Sequence, residues 1–475
     1  MDDEKSFVHL MRTPYGNYVF DVNTNIIVKV EKDVYDALKK NNKSADACSN
    51  STSEKINRMK SEGLLSGKRA KEIVHPQSEY MDYQLGHKVR KITLQITQKC
   101  NFRCSYCVYS EAFNDRHRAH SLKSMTFETA KKGIDFLVDH SRDLDSVNIG
   151  FYGGEPLLEF ELIKKCVKYA EEVLEGKTIT YSITTNGSLL TDEIIDYFCN
   201  NNISTMISID GPKEIQDKQR RFAANGCGTF DVIEKNLLRI KDNYPEYFKK
   251  LQFSVVIDPR NDFNCVNSLF TDYDFFKETY VRSSTIDDVY ANEKTFFSTD
   301  YIAKRDYEIF KAFLFHFNRL HREYVSPIAL QEITQIEELS RRFGHSKELP
   351  DVTSHGGPCV PGALRLFITS DGYFYPCERV SEMSDVMKIG HIDSGFNIEK
   401  ARNLINVGSL TSKACINCWC ISHCSLCAKY ADNLMELSGE MKMSFCRNVR
   451  FQNEYLFKNF LALKEIRTYF ANLIG

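Results

Sequence analysis

"KITLQITQKCNFRCSYC", Lys91–Cys107, is the stretch on which the reading of this chain turns. Its first half alternates apolar and polar residues as a strand does. Its second half sets Cys100, Cys104 and Cys107 in one short loop. An odd number of neighbouring thiols cannot all pair with one another, so they read as ligands. A CxxxCxxC loop suits one face of an iron–sulfur cluster, because thiolates satisfy soft iron. A cubane has four irons and the loop offers three thiolates, which leaves one iron for an outside ligand. Zinc is the plainer alternative, but a structural zinc site wants four protein ligands and usually paired CxxC spacing.

Outward from that loop the chain keeps a strand–helix rhythm. "ITLQIT" precedes helix "TFETAKKGIDFLVDH", "SVNIGFY" precedes "ELIKKCVKYAEEVL", and "TITYSIT" precedes "TDEIIDYFCN". "ISTMISI" precedes "FDVIEKNLLRIKD", and "LQFSVVI" precedes "NCVNSLFTDYDFF". Such alternation implies βαβ units and a parallel sheet. Cys100, Gly153–Gly154, Asn186 and Asp210 each fall at or just past the C-terminal end of a predicted strand. Loops at that face converge on one mouth, so these four positions read as one site. Residues 291–345 read as a helical bridge, and 346–475 as a cysteine-rich tail closed by the helix "FQNEYLFKNFLALKEIRTYF". Residues 1–85 read as a separate small unit. It has a hairpin, "YVFDV" and "IIVKV" around "NTN", then helices "EKDVYDALKK" and "SEKINRMKSEGLL", which suggests a winged helix. "SGKRAKEIVHPQSEYMDYQ" reads as a linker to the barrel region at 90–290.

The chain has 475 residues, 42% hydrophobic and 27% charged, with a net charge of -2, so composition gives no pull toward nucleic acid or acidic membrane. No run of residues is long and apolar enough to span a bilayer, and the acidic start is unlike a secretory signal, so the expected location is cytoplasmic. In a reducing compartment 16 cysteines point to metal or chemistry rather than disulfides. The isolated Cys48, Cys166, Cys199, Cys227 and Cys265 read as small buried hydrophobes. His117, His120 and His140 read as surface or core residues, and no catalytic acid or base is assigned.

The loop, with aromatic Tyr106 before the last cysteine, resembles the signature of the radical S-adenosylmethionine (SAM) enzymes. That resemblance implies an α/β fold, a partial (β/α)6 TIM-like barrel. In the family the fourth iron chelates SAM, whose reductive cleavage yields a 5′-deoxyadenosyl radical. "GGEP" (Gly153, Gly154, Glu155, Pro156) resembles the segment that receives the methionine amino group. "SID" (Ser208, Asp210) resembles the element contacting ribose, and "TTNG" (Thr185, Asn186) sits at similar height on the neighbouring strand. "QDKQR" resembles an HDxxR element, with Gln216 in place of His, which puts Arg220 on the SAM carboxylate.

The tail, "CVPGALRLFITSDGYFYPC" with "CINCWCISHCSLC" and Cys446, resembles the SPASM extension with two auxiliary [4Fe–4S] clusters, three in all. By that resemblance Cys415, Cys418, Cys424 and Cys446 ligate the outer cluster, and Cys359, Cys377 and Cys427 the inner one. A zinc ribbon is the alternative. Cys424 and Cys427 stand closer than the family spacing, Arg365 occupies a position that in some members ligates the inner cluster, and Cys420 is an extra thiol. The N-terminal unit resembles the element that binds a precursor's leader as an added strand. The implied function is a peptide maturase forming sactipeptide- or ranthipeptide-type thioethers in a cysteine-rich ribosomal precursor, with a flavodoxin or ferredoxin as electron donor. In this reading a substrate thiolate binds an open iron of the inner cluster. The rivals are a carbon–carbon cross-linker, a formylglycine-forming sulfatase maturase, and an iron–sulfur sensor or electron carrier.

Overall fold

The computed structural model describes residues 5–40, 49–110, 117–118, 120–273, 276, 279–344 and 348–474. Cys48 lies outside them. The N-terminal unit is an antiparallel meander of β1 (Val8–Thr13), β2 (Gly16–Asp21) and β3 (Ile26–Val30), followed by helices Lys32–Lys40 and Asn50–Ser61. Alternation along β2 sends Val19 one way, onto Val34, Leu38 and Ile56 of those helices. Phe20 goes the other way, into a second core shared with Ile309, Ile336 and Phe457. Those residues belong to helices Thr299–His316, Pro327–Arg342 and Cys446–Ile474, so the unit is packed on both faces.

In chain order there follow β4 (Glu72–Ile73), β5 (Lys91–Thr97), β6 (Phe102–Cys104), β7 (Ser146–Gly153), β8 (Thr178–Thr185) and β9 (Ile203–Ser208). Then come β10 (Arg220–Phe222), β11 (Gln252–Ile257), β12 (Tyr280–Thr285) and β13 (Val352–Thr353). The tail supplies β14 (Leu366–Ile368), β15 (Tyr373–Tyr375), β16 (Gly390–His391) and β17 (Gly395–Phe396). Six strands, β5-β7-β8-β9-β11-β12, run parallel and adjacent in that order. Right-handed crossovers in a monotonic order leave every helix on one face, which makes a partial (β/α)6 barrel. On β5, Ile92, Leu94 and Ile96 are completely buried. The alternate positions are polar and bond across the sheet's other face: Lys91 Nζ donates to Ser182 Oγ at 3.2 Å, and Ser182 Oγ to Asn148 Oδ1 at 3.1 Å. Parallel strands covered on both sides read as continuous apolar runs; these alternate because their second face lines the barrel's interior. Thr126 and Thr191 cap crossover helices Phe127–His140 and Asp192–Asn200 with their hydroxyls.

One expectation needs correction and another extension. The stretch read as a linker contains β4, paired with β13, and helix Met81–His87, whose Met81 and Leu85 lie in the barrel's core. The tail, read above only as cysteine-rich and closed by a helix, also belongs to the sheet. Its β14 pairs in parallel with β5, and β15, β16 and β17 continue the same ten-stranded sheet. Gly372 turns the β14–β15 hairpin at φ +85°, a conformation that favours glycine. Among the described residues no helix is long and apolar enough to cross a membrane.

Candidate functional site

Cys100, Cys104 and Cys107 occupy the loop leaving the C-terminal end of β5, and four neighbours hold that loop. Cys104 stands opposite Arg220 in the short β6–β10 ladder. Ser105 N–H donates to the Gln219 carbonyl at 2.9 Å, and its hydroxyl bonds the Gln219 side chain. Asn101 accepts from Asn186 Nδ2 at 2.8 Å and donates to Ser188 Oγ at 2.9 Å. The backbone just before Cys100 lies against Gly153 and Gly154, whose next amides close on it. Gly154 N–H reaches the Thr97 carbonyl and Glu155 N–H the Lys99 carbonyl, both at 2.8 Å. A side chain at Gly154 would land on that Lys99 carbonyl, and one at Gly153 on the Thr97 carbonyl. The glycine pair is thus explained by the approach of the cysteine loop itself.

The rest of "GGEP" is local architecture. Glu155 caps the one-turn helix Pro156–Glu159, and Pro156 takes its first position, where no N–H is needed. The Glu155 carboxylate is wholly buried and accepts from Thr185 Oγ1 and Asn186 N, each at 2.7 Å, and from Leu157 N at 3.1 Å. Burial outweighs those donors and pushes its carboxyl up to about 7. The sequence reading gave the GGEP segment to an incoming ammonium. Within it three neighbours donate to the Glu155 oxygens, and Thr185 and Asn186 serve the same brace.

Asp210 and Arg220, read as contacts to two parts of one ligand, are each other's partner. Arg220 donates Nε to Oδ2 at 2.8 Å and Nη2 to Oδ1 at 3.2 Å. Asp210 also accepts from Val256 N at 3.0 Å and from the Tyr106 hydroxyl, and it is buried. A carboxylate so saturated has no lone pair left for ribose, which leaves Ser208, half-buried at the end of β9, as the free hydroxyl of that motif. Arg220 keeps Nη1, which has no hydrogen-bond partner among the described residues. Gln216 resolves its departure from the HDxxR pattern. It accepts from Asp210 N at 3.0 Å and donates to Thr229 Oγ1 at 3.2 Å, the one-acceptor, one-donor duty of a neutral histidine. Asp217 takes the Thr229 and Phe230 amides at the start of helix Phe230–Asn243.

Burial pushes the Cys100 and Cys104 thiols up to about 12 and raises Cys107 as well. Arg220 works against that rise at Cys104 and Cys107, Arg103 at Cys100 and Cys107. Buried thiolates therefore call for a cation, and Phe102 N–H already points at Cys100 Sγ at 3.4 Å. Among the described residues no three His, Cys, Asp or Glu side chains converge at the spacing of a single metal ion. Three thiols in one loop are donors of the kind that a metal–sulfur group takes.

The tail's cysteines form two sets. Cys359 and Cys427 are near enough for their charges to act on the Cys377 thiol, and Cys427 acts on Cys359 too. Arg365 pairs with Glu378 at 2.8 Å beside them. Cys415, Cys418, Cys424 and Cys446 interact in the same way, and Cys420 sits among them, 1% exposed. The loop carrying this second set lies under the N-terminal sheet. Trp419 stacks on His9 of β1 at 3.9 Å, and His423 bonds Asn25, between β2 and β3, at 2.7 Å. Of the isolated cysteines, Cys166 is buried as expected, but Cys199 and Cys227 are exposed. Cys199 falls one residue past Phe198, off the apolar face of its helix. The bracing residues Asn101, Ser105 and Gln219 carry no sequence signal, since ordinary polar side chains gain such roles only from the fold; Asp217 is the acidic residue of the HDxxR-like stretch.

Residues 94–266 match the family model described as Radical SAM superfamily. The chain is similar to a serine-type anaerobic sulfatase-maturating enzyme of Bacteroides thetaiotaomicron, 33% identical over 38% of this chain and 41% of that one. It is also similar to a cysteine-type anaerobic sulfatase-maturating enzyme of Clostridium novyi, 26% identical over 68% of this chain and 83% of the relative. The chain spans about half the length of the curated relatives it matches at higher identity. Its fold is shared with the solved structure of native anSMEcpe with bound AdoMet and Cp18Cys peptide, at TM-score 0.56 and 21% identity, over 81% of this chain and 100% of the other.

Proposed function

We propose that this protein is a radical SAM maturase acting on a peptide, and that its product is a thioether cross-link in a cysteine-rich ribosomal precursor. The observation that carries the reading is the three-thiol loop, fixed by braces from β7, β8 and β10 at the barrel's C-terminal edge. Cys100, Cys104 and Cys107 would hold the SAM-binding cluster. The Gly153–Pro156 backbone, Ser208 and the Nη1 edge of Arg220 line the place for its ligand. A [4Fe–4S] cluster held there with SAM would supply the radical chemistry of hydrogen abstraction. The chain's own part is orientation: Asp210 fixes the Arg220 fork, and Gln216 fixes Asp210. The polar inner face, with Lys91, Asn148 and Ser182, suits a peptide's amides better than an apolar substrate.

Cys359, Cys377 and Cys427 would hold an inner auxiliary cluster, and Cys415, Cys418, Cys424 and Cys446 an outer one. The N-terminal sheet would take the precursor's leader. Among the described residues β3 pairs only with β2, which leaves its other edge for an added strand. A sulfatase maturase is the second reading, favoured by the two similar enzymes named above, and the N-terminal unit weighs against it.

Iron-loaded chain incubated anaerobically with SAM and dithionite should release 5′-deoxyadenosine, and none overturns the radical reading. Coexpression with a cysteine-rich precursor should yield a peptide lighter by two hydrogens per cross-link. An unmodified peptide beside a sulfatase peptide converted to formylglycine favours the second reading.

A further inference from the structure

Two lysines are buried among the described residues, Lys429 and Lys442. Lys429 pairs with Asp287. Lys442, on the short helix Gly439–Ser444 and only 1% exposed, has no such partner. Its ammonium donates to Thr411 Oγ1 at 2.8 Å and points at Cys415 Sγ at 3.8 Å, and no carboxylate is among its contacts. The Thr411 hydroxyl lies 3.2 Å from the same sulfur. The ammonium's charge also acts on the thiols of Cys424 and Cys446. His355, on which the ammonium's charge also acts, is held neutral by burial, its pKa pushed down to about 3. An unpaired buried cation is costly, so chains that keep one supply an anion. Four thiolates around an iron–sulfur core leave the assembly net negative, and the anion Lys442 lacks is what Cys415, Cys418, Cys424 and Cys446 would become.

We propose that Lys442 is the buried counter-cation of the outer cysteine set and poises the potential at which that set's centre accepts an electron. The inference rests on the reading of those four cysteines as an outer auxiliary cluster. Positive charge close to a cluster favours its reduced, more negative form, so Lys442 raises the potential. Lys442 acts through the cysteines and touches no substrate; it is a positioning residue.

The test separates the two ideas. In anaerobically reconstituted chain, Cys424→Ala with Cys446→Ala should remove about four irons and one of the reducible EPR signals. Unchanged iron sinks the outer-cluster reading itself. If the cluster is present, Lys442→Met and Lys442→Gln should shift its midpoint, in a potentiometric EPR titration, to more negative values or lose its iron. Lys442→Arg should keep both. A neutral variant with full iron and the wild-type midpoint overturns the inference. If both neutral variants are insoluble, a soluble Lys442→Arg with the wild-type midpoint upholds the need for charge, and loss of that variant too overturns it.

Discussion

Asp210→Asn is the sharpest probe of how the site is held. The substitution keeps size and shape but removes the anion that takes Arg220 Nε at 2.8 Å and Nη2 at 3.2 Å, in a place where both groups are buried. The new amide would also aim two hydrogens at one of two donor sets, Val256 N with Arg220 Nη2 or Tyr106 with Arg220 Nε. Breaking one side of a buried ion pair costs about 3–5 kcal/mol, because the remaining charge is left without a partner. Because the sheet joins barrel and tail, the 475-residue chain is treated as one unit; at about 2.1 cal/mol/K per residue each kcal/mol moves the midpoint by about 1 °C, so a fall of about 3–5 °C is expected. The assay is thermal unfolding followed by circular dichroism, on the variant, on Arg220→Met and on the double variant. Removing both charges should restore most of the loss, because no charge is then stranded. A single variant melting within about 2 °C of wild type, or a double variant showing the simple sum of both losses, would refute the reasoning.

Gly154→Ala drives a methyl into the Lys99 carbonyl, so the cysteine loop must shift; reconstituted protein should bind about four fewer irons per chain, read by iron analysis. Burial raises the Glu155 carboxyl from 4.5 to about 7, so its neutral form stabilises the fold fully below about pH 4.5, and that stability is lost as pH rises through 7. Glu155→Gln lacks this titration, so in iron-free chain the stability of wild type relative to the variant should fall by about 3 kcal/mol from pH 4.5 to 8, followed by urea unfolding. Trp419 is the sole tryptophan, stacked on His9, and His9→Ala should shift its emission to longer wavelength. An unchanged spectrum would mean that the N-terminal sheet does not dock on the outer cysteine loop.

Five of the six barrel strands are legible because their helix-facing residues are apolar at every second position. The sixth, β12, hides because "YVRSST" is an edge strand with a charged residue in its middle and four exposed positions. β1 hides for a related reason: part of what it packs against is the C-terminal helix, hundreds of residues away. The tail's strands are two or three residues long, shorter than any periodicity can resolve. At the site, cysteines and glycines announce themselves because few other roles explain them. Asp210 and Glu155 lie just past the ends of β9 and β7, and Arg220 opens β10. Their bonds to one another depend on which loops meet, and no local pattern encodes that.

Because β14 is hydrogen-bonded alongside β5, the strand that launches the cysteine loop is not a rim of the sheet but lies within it, flanked on both sides. The tail is thereby stitched to the very strand from which Cys100 emerges. On the proposed reading, a charge carrier moving from one region to the other would cross a separation braced by that pairing. Its transit should be indifferent to solvent viscosity, unlike a relay that waits for a swinging arm.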